Sequence, residues 1–274
     1  MSKQTFDTKW SDINTGKGEV ADEKSLFVPV GQKPITQRQL NLYYYFLFIK
    51  NILSRSSARD VLEAGCGRGT ISLYLAQHMG LSLTLLDNVP DAIELAKKDF
   101  KERGLAGEFF VEDVLKTHFP DSSFDSVVSI GLAEHFEKHD VEQLFAEQFR
   151  ILRSGGVMIS LNIPKKFSIQ FLNTVMRSVK KMFGLYKESV NKDYFRNTYT
   201  AEEFQDIALR VGFTNTSITH VCPFPIYVPV TMKTDKFVTR GRRFILRVRS
   251  LFQNYPYKTN RIIAQAHFLV AYKK

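Results

Sequence analysis

Arg59-Asp60-Val61-Leu62-Glu63-Ala64-Gly65-Cys66-Gly67-Arg68-Gly69-Thr70 is the stretch whose reading decides the fold. Asp60, Val61 and Leu62 read as a short buried strand. Gly65, Gly67 and Gly69 then make a turn where ordinary side chains would obstruct the backbone. Ile71, Leu73, Tyr74, Leu75 and Ala76 supply the buried face of a following helix. A strand feeding a glycine turn and a helix N-terminus lets a ligand lie against bare backbone. The spacing then narrows the ligand. A dinucleotide fingerprint needs its third glycine three positions after the second, and here that position holds Thr70. Glu63, at the strand tip, would repel a pyrophosphate but suits an ammonium group. The Gly-Lys-Ser/Thr of a phosphate-binding loop is absent from the sequence.

Working outward, strands and helices alternate, the pattern of a parallel sheet covered on both faces. A helix over 37–52 leads into the first strand. Further strands are expected at 81–86, 108–111, 124–130, 157–162, 213–221 and 262–272. Helices are expected at 92–103, 141–152 and 201–211, the last capped by Thr200 and ended by Gly212. Ser154-Gly155-Gly156 reads as a structural turn before the fifth strand. Asp87 ends the second strand, followed by Asn88, and an acid there in nucleoside-binding α/β folds accepts from both ribose hydroxyls.

The stretch Glu63-Ala64-Gly65-Cys66-Gly67-Arg68-Gly69 closely resembles the first motif of class I S-adenosylmethionine-dependent methyltransferases. The resemblance implies a Rossmann-like, seven-stranded, mostly parallel α/β sheet whose last strand is antiparallel. It implies S-adenosylmethionine as cofactor, with S-adenosylhomocysteine as product. Glu63 and the turn of Gly65, Cys66, Gly67 and Gly69 would hold the methionine part. Asp87 would meet the ribose, and Asn88 is a further cofactor-binding candidate. Asp113 would meet the adenine amino group with Val114 giving a backbone contact, and Glu112 is the neighbour that competes for Asp113's part. Gly131, just past the fourth strand, would let the methionine end approach. His135 lies in a Glu-His pair similar to that of many small-molecule members. It either takes a proton from the acceptor or packs beside the cofactor with its ring bonded to backbone; the sequence leaves both open. Tyr186, Tyr194, Tyr199 and His220 are further candidates for the pocket. Residues 1–36 would fold over the cofactor, and 37–274 would form the methyltransferase domain.

Composition bounds the rest. The 274 residues are 44% hydrophobic and suffice for one large domain. The polar start lacks a signal-peptide core, and the most apolar run, 40–53, is interrupted and too short to span a bilayer. The expected location is therefore cytoplasmic. Cys66 and Cys222 read as free thiols, and no His/Asp/Glu cluster has metal-ligand spacing. The net charge of +10 lies wholly in the C-terminal portion: from Tyr227 onward there are eleven Lys/Arg and one acid, Asp235. A second basic stretch, 165–187, holds six Lys/Arg and no acid.

These basic stretches coincide with two insertions into the alternation, 164–198 and 222–261. In the first, Leu172, Val175, Met176, Val179, Met182 and Phe183 share a helical face. In the second, Phe244, Ile245, Val248, Leu251 and Phe252 do so beside Arg243, Arg247 and Arg249. Each reads as a basic amphipathic helix, either a substrate lid with solvated bases or an element lying on an anionic membrane surface. The function expected is methyl transfer to an oxygen or carbon of a small, apolar or amphiphilic acceptor, such as a lipid. Alternatives are an RNA methyltransferase using the basic C-terminal region and a non-catalytic S-adenosylmethionine-binding protein. The absence of an Asn/Asp-Pro-Pro-Tyr/Phe stretch after the fourth strand argues against methylation of base amino groups.

Overall fold

A computed structural model describes residues 26–163, 195–220, 232–257 and 266–274, with single residues at 178, 182, 261 and 264. The elements run in the order α1 (Gln37–Ser56), β1 (Asp60–Ala64), α2 (Thr70–Met79), β2 (Ser82–Asp87), α3 (Pro90–Lys101), β3 (Glu108–Val111), β4 (Phe124–Ile130), α4 (Lys138–Ile151), β5 (Leu152–Asn162), α5 (Ala201–Val211), β6 (Thr214–His220), α6 (Met232–Arg249) and β7 (His267–Tyr272). A short 3₁₀ turn, Ala133–His135, follows β4.

The strands form one sheet in the order β3-β2-β1-β4-β5-β7-β6. β1 pairs in parallel with both β2 and β4, while β7 is antiparallel to β5 and β6. This is the expected Rossmann-like seven-stranded α/β arrangement. Chain order reverses on either side of β1 and β4, so a crevice opens at their C-terminal ends, where ligands of such sheets bind. α1, α2 and α3 cover one face through a core that includes Phe46, Tyr74, Phe100 and Phe268. α4 and α5 cover the other, with Phe145, Phe204 and Met158.

Local chemistry explains the helix ends. Thr36 and Gln39 form a reciprocal capping box on α1, and Thr200 and Glu203 form another on α5. Gly212, in the left-handed region, ends α5.

Two strand starts differ from the sequence expectation. β5 begins at Leu152, five residues early, because Ser154-Gly155-Gly156 continues the pairing past the end of β7: Gly155 donates to the Lys273 carbonyl and Lys273 donates back to Gly156. A side chain on Gly156 would lie 2.8 Å from the Arg153 carbonyl oxygen, so close backbone approach requires glycine there. β7 begins at His267, later than expected. The second insertion contains α6, which is tied to α1. The first amphipathic face, 172–183, lies almost wholly outside the described residues, as do Cys222, Tyr186 and Tyr194. No helix among the described residues is long and apolar enough to cross a membrane.

Candidate active site

A cavity of about 600 Å³ opens at the C-terminal ends of β1, β2 and β4. Its wall includes Glu63, Gly65, Cys66, Gly67, Asp87, Asn88, Val114, Gly131 and His135. Residues as far apart in the chain as Glu63 and His135 thus meet in one place because three neighbouring strands end there.

Glu63 leaves the tip of β1 and is buried. Its Oε2 accepts from the Ser72 backbone N–H at 3.0 Å and from the Ser72 hydroxyl. Ser72 is in the first turn of α2, whose N-cap is Gly69 and has no side-chain cap. Glu63 therefore supplies the missing cap from outside the helix. Burial pushes its carboxyl up from 4.5 to about 7, against the Ser72 bonds, and the neighbouring Asp87 charge adds to the rise. A cation brought beside it would favour its ionised form.

Asp87, at the tip of β2, has Oδ2 accepting from Gly67 N–H at 2.8 Å and Oδ1 accepting from Val89 N–H at 3.1 Å. It orders the glycine turn and the loop after β2 together. Gly65 has φ of +66°, and a side chain there would run into Leu132 at 2.6 Å. The turn is bare because both its backbone angle and its surroundings exclude a Cβ. Gly69 is not in the cavity wall. It too has a left-handed φ, and a Cβ would come 2.5 Å from Leu85, so its part is to let the start of α2 pack on β2.

Asp113 is also outside the wall. Its Oδ1 accepts from Leu115 N–H at 2.9 Å, closing a turn after β3, while its neighbour Val114 does face the cavity. Glu112 pairs with His118 instead. Cys66 is buried, and burial, followed by Asp87 and Glu63, pushes its thiol well above the usual range. That environment keeps it a thiol rather than a nucleophile.

His135 sits in the 3₁₀ turn after β4. Its Nδ1 lies 2.7 Å from the Phe195 carbonyl oxygen. A carbonyl only accepts, so this contact selects the tautomer with Nδ1–H and leaves Nε2 as the basic nitrogen. Asn197 clamps the same turn: its side-chain amide donates to the Ala133 and Phe136 carbonyls at 3.0 Å each, and its backbone N–H donates to Glu134 O at 2.7 Å. The segment 195–197 thereby fixes the ring's position from across the chain. Tyr199 and His220 are not in the cavity wall: Tyr199 packs on Phe204, and His220 lies near His267.

Several wall residues were not singled out from sequence: Leu26, Arg38, Leu42, Arg68, Phe136 and Phe195. Arg38 and Leu42 stand four apart on α1, a spacing that puts them on one helix face. Arg68 is held by Asp99 at 2.9 Å. Leu26 belongs to the expected cofactor-covering segment. Its neighbours are anchored on α2, with Val28 N–H donating to the Tyr74 hydroxyl at 2.9 Å and Phe27 against the Tyr74 ring. Residues 1–25 lie outside the described residues.

Residues 61–156 match the methyltransferase domain family. That stretch is a class I S-adenosylmethionine-dependent methyltransferase domain. Ajmaline N-methyltransferase of Rauvolfia serpentina is 31% identical over 38% of this chain and 36% of its own length. Fatty-acid O-methyltransferase of Mycolicibacterium smegmatis is 29% identical over 52% of this chain and 51% of its own. The chain therefore spans about a third to a half of these curated relatives. Among solved structures, magnesium protoporphyrin IX methyltransferase of Synechocystis PCC 6803 with bound SAH shares the fold, with a TM-score of 0.52 at 14% identity over 89% of this chain and 90% of that one. The cofactor of the domain is S-adenosylmethionine. The cavity fits it: a buried carboxyl near neutrality at β1, a second carboxylate at β2, and between them a turn that no side chain fills.

Proposed function

We propose that the chain is a methyltransferase acting on an oxygen or carbon of a small, apolar or amphiphilic acceptor. The observation that carries the reading is the convergence of Glu63, Asp87 and the bare Gly65–Gly67 backbone with His135 on one cavity wall. Relatives named for ajmaline and for a fatty acid support a small-molecule or lipid acceptor.

When bound, S-adenosylmethionine supplies a methyl group activated by its sulfonium. Glu63 would hold the cationic amino group of the cofactor, and Asp87 would accept from the ribose hydroxyls. Val114 would border the adenine, held by the turn that Asp113 closes, and Asn88 would line the same pocket. Gly131 leaves room next to the turn. Leu42, Ile130, Leu132, Phe136 and Phe195 supply apolar wall that excludes water from the acceptor. His135, held through Nδ1, receives at Nε2 the proton that the acceptor gives up. Holding both partners in one cavity converts a bimolecular encounter into a positioned one, and that accounts for most of the rate gain expected.

The test is incubation of the full chain with isotope-labelled S-adenosylmethionine and fractionated small-molecule and lipid extracts, read by mass spectrometry. Label in an organic-soluble product, lost with His135→Ala but with S-adenosylhomocysteine binding kept, is the expected result. Cofactor binding without any labelled product, or label found only in RNA, overturns the assignment of acceptor class.

A further inference from the structure

α6 is built inside out. Asp235, Thr239, Arg242 and Leu246, at helical spacing, are buried. Phe237, Phe244, Ile245 and Val248 occupy the opposite face. Leu251 and Phe252 extend that face through the helical hydrogen bonds that continue past Arg249. These six side chains are 41–81% exposed. The polar stripe turns inward for a visible reason. Asp235 accepts from the Gln37 side-chain amide at 2.8 Å and from Gln37 backbone N–H at 3.3 Å, capping α1 from across the chain. Arg243 donates to the Pro34 carbonyl at 3.0 Å, and Leu246 packs with Leu40 and Tyr257. The helix is thus fixed with its apolar side facing out, which soluble surfaces rarely tolerate without a partner.

Charge selects that partner. Lys236, Arg240 and Arg247 are exposed along one flank of the apolar stripe. Asp235 is the only acid between 232 and 257, and it is turned inward. A second copy of this chain would bring the same cationic flank against itself. A nucleic acid would use the cations but leave six large apolar side chains in water. A bilayer with anionic headgroups satisfies both, taking the apolar stripe at the acyl boundary and the cations at the phosphates.

We propose that the outer face of α6, from Phe237 to Phe252, docks the protein on the surface of an anionic phospholipid bilayer. The first turn of α1 links α6 to the cavity: Gln37 binds the inner face of α6 and the adjacent Arg38 lines the cavity wall. Docking there brings the domain that holds the cavity to the lipid, where an amphiphilic acceptor resides. That last consequence rests on the proposed methyl transfer, whereas the docking itself does not.

The experiment is flotation of the full chain with vesicles of phosphatidylcholine alone and of phosphatidylcholine mixed with phosphatidylglycerol. It is run on the parent, on Phe244→Ser/Phe252→Ser and on Arg240→Gln/Arg247→Gln. The parent is expected to float with the mixed vesicles and to stay down with phosphatidylcholine alone. Removing two cations should weaken binding about 30-fold, taking about 1 kcal/mol for each. The serine pair should abolish it. Thermal unfolding and S-adenosylhomocysteine affinity should match the parent in both variants, since none of these side chains is buried. Absence of flotation, or flotation unaffected by either pair, overturns the proposal. So does binding of RNA, or self-association in solution, that the same substitutions remove. Loss of cofactor binding in the parent would instead count against the reading of the cavity and leave the flotation result standing by itself.

Discussion

Glu63 offers the sharpest quantitative handle on the site. Its carboxyl rises from 4.5 to about 7 because it is buried. A shift of that size makes ionisation about 3 kcal/mol harder than in water. Below about pH 7 the group carries a proton, and a proton and a ligand ammonium compete for it. Taking about 7 as the titration point, roughly 3% is ionised at pH 5.5 and about three quarters at pH 7.5, so affinity for S-adenosylhomocysteine should be about twentyfold weaker at the lower pH. Binding at pH 6 should release close to one proton, visible in calorimetry as a dependence of apparent enthalpy on buffer ionisation heat. Glu63→Gln keeps an acceptor for Ser72 N–H and hence the cap on α2, but removes the titration. It should bind more weakly at pH 7.5 and show a flat profile. A parent whose affinity does not change over this range, or a Gln variant that keeps the parent's profile, refutes the reasoning.

Further outcomes follow from five other positions. His135→Ala should lower kcat about a hundredfold or more with S-adenosylhomocysteine affinity kept, and Asn197→Ala should lower kcat by a smaller factor with acceptor KM little changed; a matched loss of cofactor affinity contradicts both roles. Gly69→Ala forces a Cβ to 2.5 Å from Leu85 at a left-handed φ, and should cost on the order of 2–4 kcal/mol in urea unfolding. Burial raises the Glu134 carboxyl from 4.5 to about 7, so the stability it lends is full below about pH 4.5 and lost as pH rises through about 7. Glu134→Gln should accordingly gain on the parent by roughly 1–3 kcal/mol between pH 5 and pH 8, and a constant difference in melting temperature would contradict this. Asp235→Ala removes the cap that α6 places on α1 and should cost about 1–2 kcal/mol, with amide exchange rising first in α6 and the first turn of α1.

How far the sequence could be read depended on the range of the forces involved. The glycine turn was legible because Gly65, Gly67 and Gly69 sit at positive φ, a local demand that few other residues meet. Glu63 and Asp87 were legible because strand tips in a parallel sheet converge whatever the details of packing. The capping boxes of α1 and α5 and the Gly212 stop are likewise local. Arg38 and Phe195 were not found, since they reach the cavity through packing between distant segments. The Asn197 clamp on the turn at Ala133 spans 64 positions, and the Asp235 bond to Gln37 spans 198. α6 shows the limit most clearly. Periodicity reveals an apolar stripe at Phe244, Ile245 and Val248, but not which stripe faces inward. That is decided by one carboxylate finding the start of another helix.

The central claim is that the crevice at the ends of β1, β2 and β4 is the cofactor site. A crystal structure of the full chain grown with S-adenosylhomocysteine tests it most directly. The account predicts the amino group on the Glu63 carboxylate, the ribose hydroxyls on Asp87 and the methionine chain along the Gly65–Gly67 backbone. Density for the ligand at any other place, or in this crevice with Glu63 and Asp87 making no contact to it, would contradict the account.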